Sequence, residues 1–301
     1  MSSSPPSPVA AVPARGGFVV LALLLVYVVW GSTYLAIRFA LEGGIPPLSM
    51  VSGLRFVVAG SLLYAVLRWR GVAAPTRAQW GALTVLGALL LLCGNGLVVL
   101  AERQVSSGLA AVALASVPLW MALFGALRGQ HASRGEWLGI VVGFAGVLWL
   151  NAGSSLSASP KGLVLLLIAA IGWAFGSVWS RGRDLPMPFM AAAGQMLCGG
   201  VLLVATGLLS GERAHAWPTP HALMAVAYLC VFGSIVAFTA YVWLLQNVRP
   251  VLAGSYAYVN PVIAVALGSW LGAERFTTSD LGAMAVILAG VVVITVARTR
   301  R

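Results

Sequence analysis

The sequence predicts an all-α integral membrane protein of ten transmembrane helices, arranged as two inverted five-helix repeats around a central cavity. Three observations lead there. Of 301 residues, 60% are hydrophobic and only 8% are charged, whereas an ordinary soluble domain carries roughly a quarter charged residues. Apolar runs recur from end to end, each near the ~20 residues that carry an α-helix across a hydrocarbon core of about 30 Å. A shift of 143 residues also lays the second half of the chain on the first.

The first 16 residues are rich in Ser and Pro with one basic residue, Arg15, and read as a disordered cytoplasmic tail without the n-region of a secretory signal. The run from Gly17 to Leu41 is too long for a signal h-region and holds Tyr27, Trp30 and Tyr34; it reads as a retained first helix. Apolar segments bounded by Pro, Gly and charge place helices near 17–41, 47–68, 80–101, 107–127, 135–151, 161–181, 187–209, 221–245, 251–271 and 279–297. The first repeat is thus 17–151, a linker 152–160, the second repeat 161–297, and a basic C-terminus 298–301. Connections this short force neighbouring helices antiparallel and leave no room for a soluble domain.

A net charge of +11 suggests nucleic acid in a soluble protein, but here its distribution reports topology. On the side of the termini lie twelve basic residues, Arg15, Arg68, Arg70, Arg77, Arg128, Arg134, Arg181, Arg183, Arg249, Arg298, Arg300 and Arg301, against two acids, Glu136 and Asp184. On the other side five basic residues, Arg38, Arg103, Lys161, Arg213 and Arg275, meet five acids, Glu42, Glu102, Glu212, Glu274 and Asp280. The excess predicts a multi-pass protein of the bacterial plasma membrane with both termini cytoplasmic, and no nucleic-acid partner.

The repeat shows in matched residues. The shift of 143 lays Trp30 on Trp173, Arg38 on Arg181, Ala110 on Ala253, Pro118 on Pro261 and Leu138-Gly139 on Leu281-Gly282. One further residue of slip lays Ala145-Gly146-Val147 on Ala289-Gly290-Val291. Five helices per half is an odd number, so the second half enters the membrane with opposite polarity. Inverted repeats of this kind give secondary transporters two related conformations, open to opposite sides.

Helix-breaking residues at membrane depth are informative, because freed backbone groups there need protein or a watery cavity to satisfy them. Pro118 and Pro261 are expected midway along helices 4 and 9, at matching points of the two halves. Either proline alone serves packing as readily as function; the pair favours a gate or site. Around them fall Trp30, Thr33 and Tyr34 in helix 1, Asn95 in helix 3, Ser116 and Trp120 in helix 4, Trp173 and Ser177 in helix 6, Tyr241 in helix 8, and Tyr256, Tyr258 and Asn260 in helix 9. Asn95 and Asn260 carry donors and acceptors that lipid cannot satisfy, so they should face inward. Trp30 with Tyr34, and Trp173 with Ser177, share a helix face and can line one cavity for an aromatic or zwitterionic solute or an organic cation. Any one of these rings packs or anchors at the interface as readily as it binds, and Trp69, Trp80, Trp217 and Trp270, at helix ends, are assigned to the interfacial belt. Arg55 lies about eight residues, or ~12 Å, inside helix 2. Its head needs carbonyls, a carboxylate or water. Binding a solute carboxylate and pairing with Glu102 both remain open. Arg38 is expected to reach the outer surface.

These residues resemble a known family. Trp-Gly-Ser-Thr-Tyr at 30–34, Arg55-Phe56, Val117-Pro118, Leu271-Gly272-Ala273-Glu274 and the Ala-Gly-Val closing both halves are similar to EamA-type exporters of the drug/metabolite transporter superfamily, over nearly the whole chain. The run Ser255 to Pro261 further resembles a bacterial ten-helix subgroup that includes amino-acid exporters. The resemblance implies a basket-like fold, helices 5 and 10 on the outside, and export of amino acids (aromatic or other neutral) and related metabolites, or of cationic drugs. The sequence departs in one place: Ala273-Glu274 stands where Gly-Glu is expected, and the first half reads Gly129-Gln130-His131 at the matching point.

The acids all fall at or near helix ends and the histidines in loops or at a boundary, so the sequence offers no midplane carboxylate for proton coupling. Facilitated diffusion or weak coupling follows. Cys93, Cys198 and Cys230 lack paired spacing and read as apolar filler, and no metal or cofactor is expected. A membrane-embedded enzyme lacks its signatures here: there is no HExxH, no midplane aspartate pair and no serine with a histidine at like depth. A channel lacks a ring of like charges or a filter-like glycine run. A scaffold is the remaining rival, with Gly139 and Gly143 offering a small-residue face that joins protomers or packs within the chain. The expected partners are a small solute, the bilayer and at most a second copy of the chain.

Overall fold

The computed structural model describes residues 16–105, 110, 113–152, 159–213, 217–272 and 278–299. The expected tail through Arg15, most of the 152–160 linker, the Ala273-Glu274 departure, Arg275 and the terminal Arg300 and Arg301 lie outside these residues, as do the side chains of Trp270, Asp280 and Arg298. Among the described residues the molecule is all-helical, with 83% of them in helices and no strand.

The helical segments, labelled in chain order, are α1 (Gly16–Glu42), α2 (Pro47–Trp69), α3 (Arg77–Ala101), α4 (Val117–Leu127), α5 (Arg134–Asn151), α6 (Pro160–Trp179), α7 (Pro188–Leu209), α8 (Pro220–Asn247), α9 (Pro250–Ala253 continuing as Tyr256–Gly272) and α10 (Thr278–Thr299). Their starts follow from local chemistry. Thr76 with Gln79 and Ser133 with Glu136 form reciprocal capping boxes. Ser159 and Thr219 accept from the amides of Gly162 and Ala222. Proline fills the first turn of α2, α6, α7, α8 and α9, where no helical N–H is lost. Gly71 and Gly211, at φ of 79° and 82°, close α2 and α7 in the left-handed conformation that stops a helix.

Six segments, α1, α2, α3, α6, α7 and α8, are long and apolar enough to cross a membrane; Val117–Leu127 and Leu281–Ala297 are shorter apolar helices. Only 33% to 50% of each long window is buried inside the protein. The outward remainder is apolar too, with Phe18, Leu21, Leu24 and Val28 exposed along α1. A surface of that kind requires lipid.

Small residues let the helix backbones meet. A Cβ on Gly199 would lie 2.8 Å from the Gly87 carbonyl, and one on Gly200 would lie 2.7 Å from the Val57 amide, so α7 packs its backbone against both α3 and α2. On α10, a Cβ at Gly290 would lie 2.5 Å from the Gly143 amide nitrogen of α5. The Gly139/Gly143 face therefore closes a seam within one chain.

The interruptions fall elsewhere than at the two prolines. The chain turns at Ala115 and Ser116, so α4 begins at Val117 and Pro118 sits in its first turn rather than mid-helix. In α9 the turn lies at Gly254 and Ser255, and Pro261 stands inside the unbroken run Tyr256–Gly272. Proline at the second helical position lacks only an N–H that has no acceptor there, which is why the break precedes Pro118.

One end of the bundle is basic. Arg128 after α4 donates to the Val178 carbonyl at 2.8 Å, Arg181 after α6 donates to the Val248 carbonyl, and Arg249 before α9 pairs with Glu136 at 2.7 Å. At the other end the Glu212 carboxylate accepts from the Leu48 amide at 3.0 Å and the Ser49 amide at 2.7 Å, capping α2 from a distant loop.

Candidate functional site

Between the helices lies a cavity holding about 730 Å³ of empty space, part of it open solvent. Helical spacing explains its lining. Trp30, Thr33, Tyr34 and Ile37 of α1 fall at i, i+3, i+4 and i+7, and Leu91, Gly94, Asn95 and Val98 of α3 repeat that spacing, so each helix gives the cavity one stripe. Tyr256 with Asn260 of α9, and Ala169 with Trp173 of α6, each lie four apart. Gly233 and Phe238 of α8 lie five apart yet both face inward. In that stretch, Leu229–Phe238, α8 has the wider i→i+5 bonding of a π-helix. Pro47–Leu54 of α2 and Gly87–Gly96 of α3 do the same beside Arg55 and Asn95. Such widened turns recur at functional sites.

The floor, toward the basic end, is aromatic. Trp30 meets Trp173 edge-on at 5.5 Å, Tyr241 at 5.0 Å and Tyr256 at 4.8 Å between ring centroids. The Trp173 indole N–H donates to the Tyr241 hydroxyl at 2.8 Å, which also bonds Ser177 at 2.7 Å. Tyr27 and Ser255 join hydroxyls at 2.6 Å below. Gly94 has no side chain because the Trp173 ring occupies that space.

The wall toward the other end is polar. Arg55 is 4% exposed, stacks its guanidinium 4.4 Å from the Phe56 ring centroid, and donates from Nη2 to Asn95 Oδ1 at 3.1 Å. Its Nε is buried without a partner, as is Asn260 Oδ1. The Tyr34 hydroxyl faces the Asn260 side chain. The ion pairs among the described residues are Arg38 with Glu42 and Arg249 with Glu136, so the expected alternative of an Arg55–Glu102 pair is not formed. Arg38 is at the surface, its side chain 73% exposed.

Of the residues singled out in the sequence, Trp30, Thr33, Tyr34, Arg55, Asn95, Trp173, Tyr256 and Asn260 line the cavity. Ser177 and Tyr241 form a layer behind it, fully buried and bonded to each other. Ser116 donates to its own turn at Ala113, and Trp120 stacks on Phe124 at 6.3 Å. Tyr258 turns the other way, its ring against Gly143 of α5. Pro118 and Pro261 are buried next to the lining residues Val117 and Asn260 without lining the cavity themselves.

Glu102 is one of the acids expected at a helix end. In the turn after α3, it has Oε1 removed from solvent and without a hydrogen-bond partner. Burial pushes its carboxyl up to about 8, against the pull of Arg55. The signal available in the sequence was spacing: Asn95, Val98 and Glu102 continue one helical stripe.

Comparison with known proteins gives these features a context. The model of the EamA-like transporter family matches residues 17–152 and again 160–296. The uncharacterized inner membrane transporter YedA of Escherichia coli strain K12 is 46% identical over 278 residues, which cover 92% of this chain and 90% of that protein. The uncharacterized transporter YvbV of Bacillus subtilis strain 168 is 26% identical over 277 residues, 90% of either chain. A solved crystal structure shares the fold with a TM-score of 0.75 at 23% identity, covering 94% of this chain and 98% of that one. Two matched segments that together fill most of the sequence, and a relative of nearly half-identical sequence over almost its full length, place this chain in the EamA-like transporter family.

Proposed function

We propose that the chain is a secondary transporter that exports small organic solutes, amino acids with aromatic or other neutral side chains and related metabolites foremost, by alternating access of two inverted five-helix repeats. In this reading all ten helices cross the inner membrane, both termini are cytoplasmic, and the repeats are 17–151 and 161–297. Two family matches in tandem support the duplication. So does the α5–α10 seam. Gly143 meets Gly290 while Gly146 meets Ile287, and a shift of 144 turns each of these contacts into the other. Reciprocal contacts of that kind are what a two-fold axis produces.

The observation that carries the solute class is Arg55, a buried guanidinium at a cavity, held by one amide and no carboxylate. A buried charge without its counter-charge is costly, and a solute carboxylate supplies one in bidentate geometry. Asn260 Oδ1, the buried acceptor on the facing helix, suits an ammonium group, and the Trp30/Trp173/Tyr256 floor suits an apolar or aromatic side chain. The ring cluster also favours a second reading, export of organic cations; the fixed positive charge of Arg55 opposes it.

Proteoliposomes loaded with labelled aromatic, small neutral and charged amino acids, and with organic cations, test the proposal. Saturable, self-competed efflux of an amino acid is the expected result. Trp173→Ala and Asn260→Ala should each lower that flux at least tenfold while the protein still inserts. Wild-type flux in both variants would place the binding site elsewhere.

A further inference from the structure

Resting on the reading of the cavity as a carrier site, we infer that Glu102 is a proton-binding site coupled to the solute site: a carboxylate that docks on Arg55 drives proton uptake at Glu102, so that solute binding and protonation strengthen each other.

The geometry begins with one helix face. Asn95, Val98 and Glu102 stand at i, i+3 and i+7 on α3 and the turn after it. Asn95 holds Arg55 and Val98 lines the cavity, so the stripe leads from the guanidinium to the carboxyl. The Glu102 Oε1 atom is buried and has no hydrogen-bond donor, and Arg55 is outside ion-pair distance. Glu102 as a whole is half-buried, and at the buried oxygen the lost hydration is offset only by the field of Arg55. The groups that face it are Arg55 from α2 and Tyr34 from α1; Cys230 of α8 faces Arg55, while Arg103, next in the chain, and Lys161 at the start of α6 are exposed to the outside.

Occupancy of Arg55 changes that field. An anion on the guanidinium adds one negative charge that offsets the field of Arg55 at Glu102, and this favours the protonated form of Glu102. By linkage the reverse holds as well: protonation of Glu102 strengthens anion binding by the same factor. The window follows from the sign. Below about 8 the carboxyl is already protonated in the empty site, so binding brings little uptake; as pH rises through that value, Glu102 ionises, and anion affinity falls by up to tenfold per pH unit. The net chemistry is one proton from solvent bound to one carboxylate oxygen, with no other reactant. The acids read as lying outside the transport path thus include one that borders it.

The test is calorimetric titration of the purified protein with L-phenylalanine and L-leucine at pH 7, 8 and 9, each in two buffers of different ionisation enthalpy. Wild-type protein should take up roughly half a proton per bound amino acid at pH 8, the share left to fill on a group half-titrated there. Glu102→Gln should bind with no uptake and no loss of affinity at pH 7 and 8, and at pH 9 with only the uptake that the solute's own partly titrated ammonium group brings, whereas Glu102→Asp should keep the wild-type behaviour. Binding by the wild type with no uptake at any of the three pH values overturns the inference and leaves the carrier reading intact. Equal uptake in Glu102→Gln at pH 8 also overturns it. Failure of the wild type to bind either amino acid overturns the solute class, and the coupling falls with it. The wild-type measurement decides the matter even where a variant does not fold.

Discussion

Arg55 concentrates the recognition chemistry of the molecule in one side chain. Its Nε is buried and unpartnered, Nη2 is held by Asn95, and Phe56 covers one face of the guanidinium, so the group is oriented before any solute arrives. Arg55→Gln removes the charge and keeps hydrogen-bonding capacity. Loss of a charge-assisted hydrogen bond costs about 1.5–3 kcal/mol, which is roughly a 10–100-fold weaker affinity for a carboxylate-bearing solute, while affinity for its uncharged amide analogue should change far less. Competition binding with an amino acid and its amide measures both; equal loss for the two would assign Arg55 to packing. The sequence revealed this residue, because an arginine so far inside an apolar segment needs a partner, but it did not reveal which. Asn95 is 40 positions away, and only tertiary packing of α2 on α3 selects it over Glu102. Tyr256 and Tyr258 teach a related lesson. Two residues apart on a helix they point about 200° from each other, so one can line the cavity and the other cannot, and the structure gives the cavity to Tyr256.

Among the elements, α5 and α10 meet backbone to backbone, and their seam depends on glycine. The missing side chain at Gly290 leaves room for the Gly143 amide, a backbone atom that cannot rotate away. Gly290→Ala should therefore separate the two helices and destabilise the protein by about 1–3 kcal/mol, seen as a melting temperature lower by several degrees. Gly81→Ala, where a Cβ meets nothing within 4 Å, is the control and should leave the melting temperature unchanged or higher. A neutral Gly290→Ala would show that the seam has slack. Helix positions were largely legible from apolar runs bounded by Pro and Gly: the expected 47–68 and 187–209 became Pro47–Trp69 and Pro188–Leu209. What eluded sequence reasoning was the character of the helices near the cavity. Widened π-turns in α2, α3 and α8 leave no mark in a 3.6-residue hydrophobic period. The breaks at Ala115-Ser116 and Gly254-Ser255 likewise fall outside the prolines that advertise them.

At the scale of the whole molecule, the two ends of the cavity differ. Toward the basic end it is shut by the Trp30, Trp173 and Tyr241 rings and, below them, by the Tyr27–Ser255 bond. Beyond that floor, arginines tie helices of one matched segment to those of the other: Arg128 to the end of α6, and Arg249 to Glu136 and to the His131 carbonyl. The Glu136 side chain is 2% exposed and that of Arg249 31%, so the pair is partly shielded from solvent screening. Access from the basic end requires those ties to break, and the pair should weight the equilibrium toward the closed floor. Glu136→Gln isolates that contribution, since glutamine preserves the capping box with Ser133 and removes only the charge. The readout is the rate at which a membrane-impermeant thiol reagent, applied at the basic end, modifies Ser255→Cys in a variant whose Cys93, Cys198 and Cys230 are replaced. Removing one partner of a partly buried pair leaves the other uncompensated, so labelling should rise severalfold in Glu136→Gln, with a matching rise in Arg249→Gln. The double variant should show no further increase, because the two charges act as one tie. Additive effects, or none, would mean that the aromatic floor alone keeps this end closed.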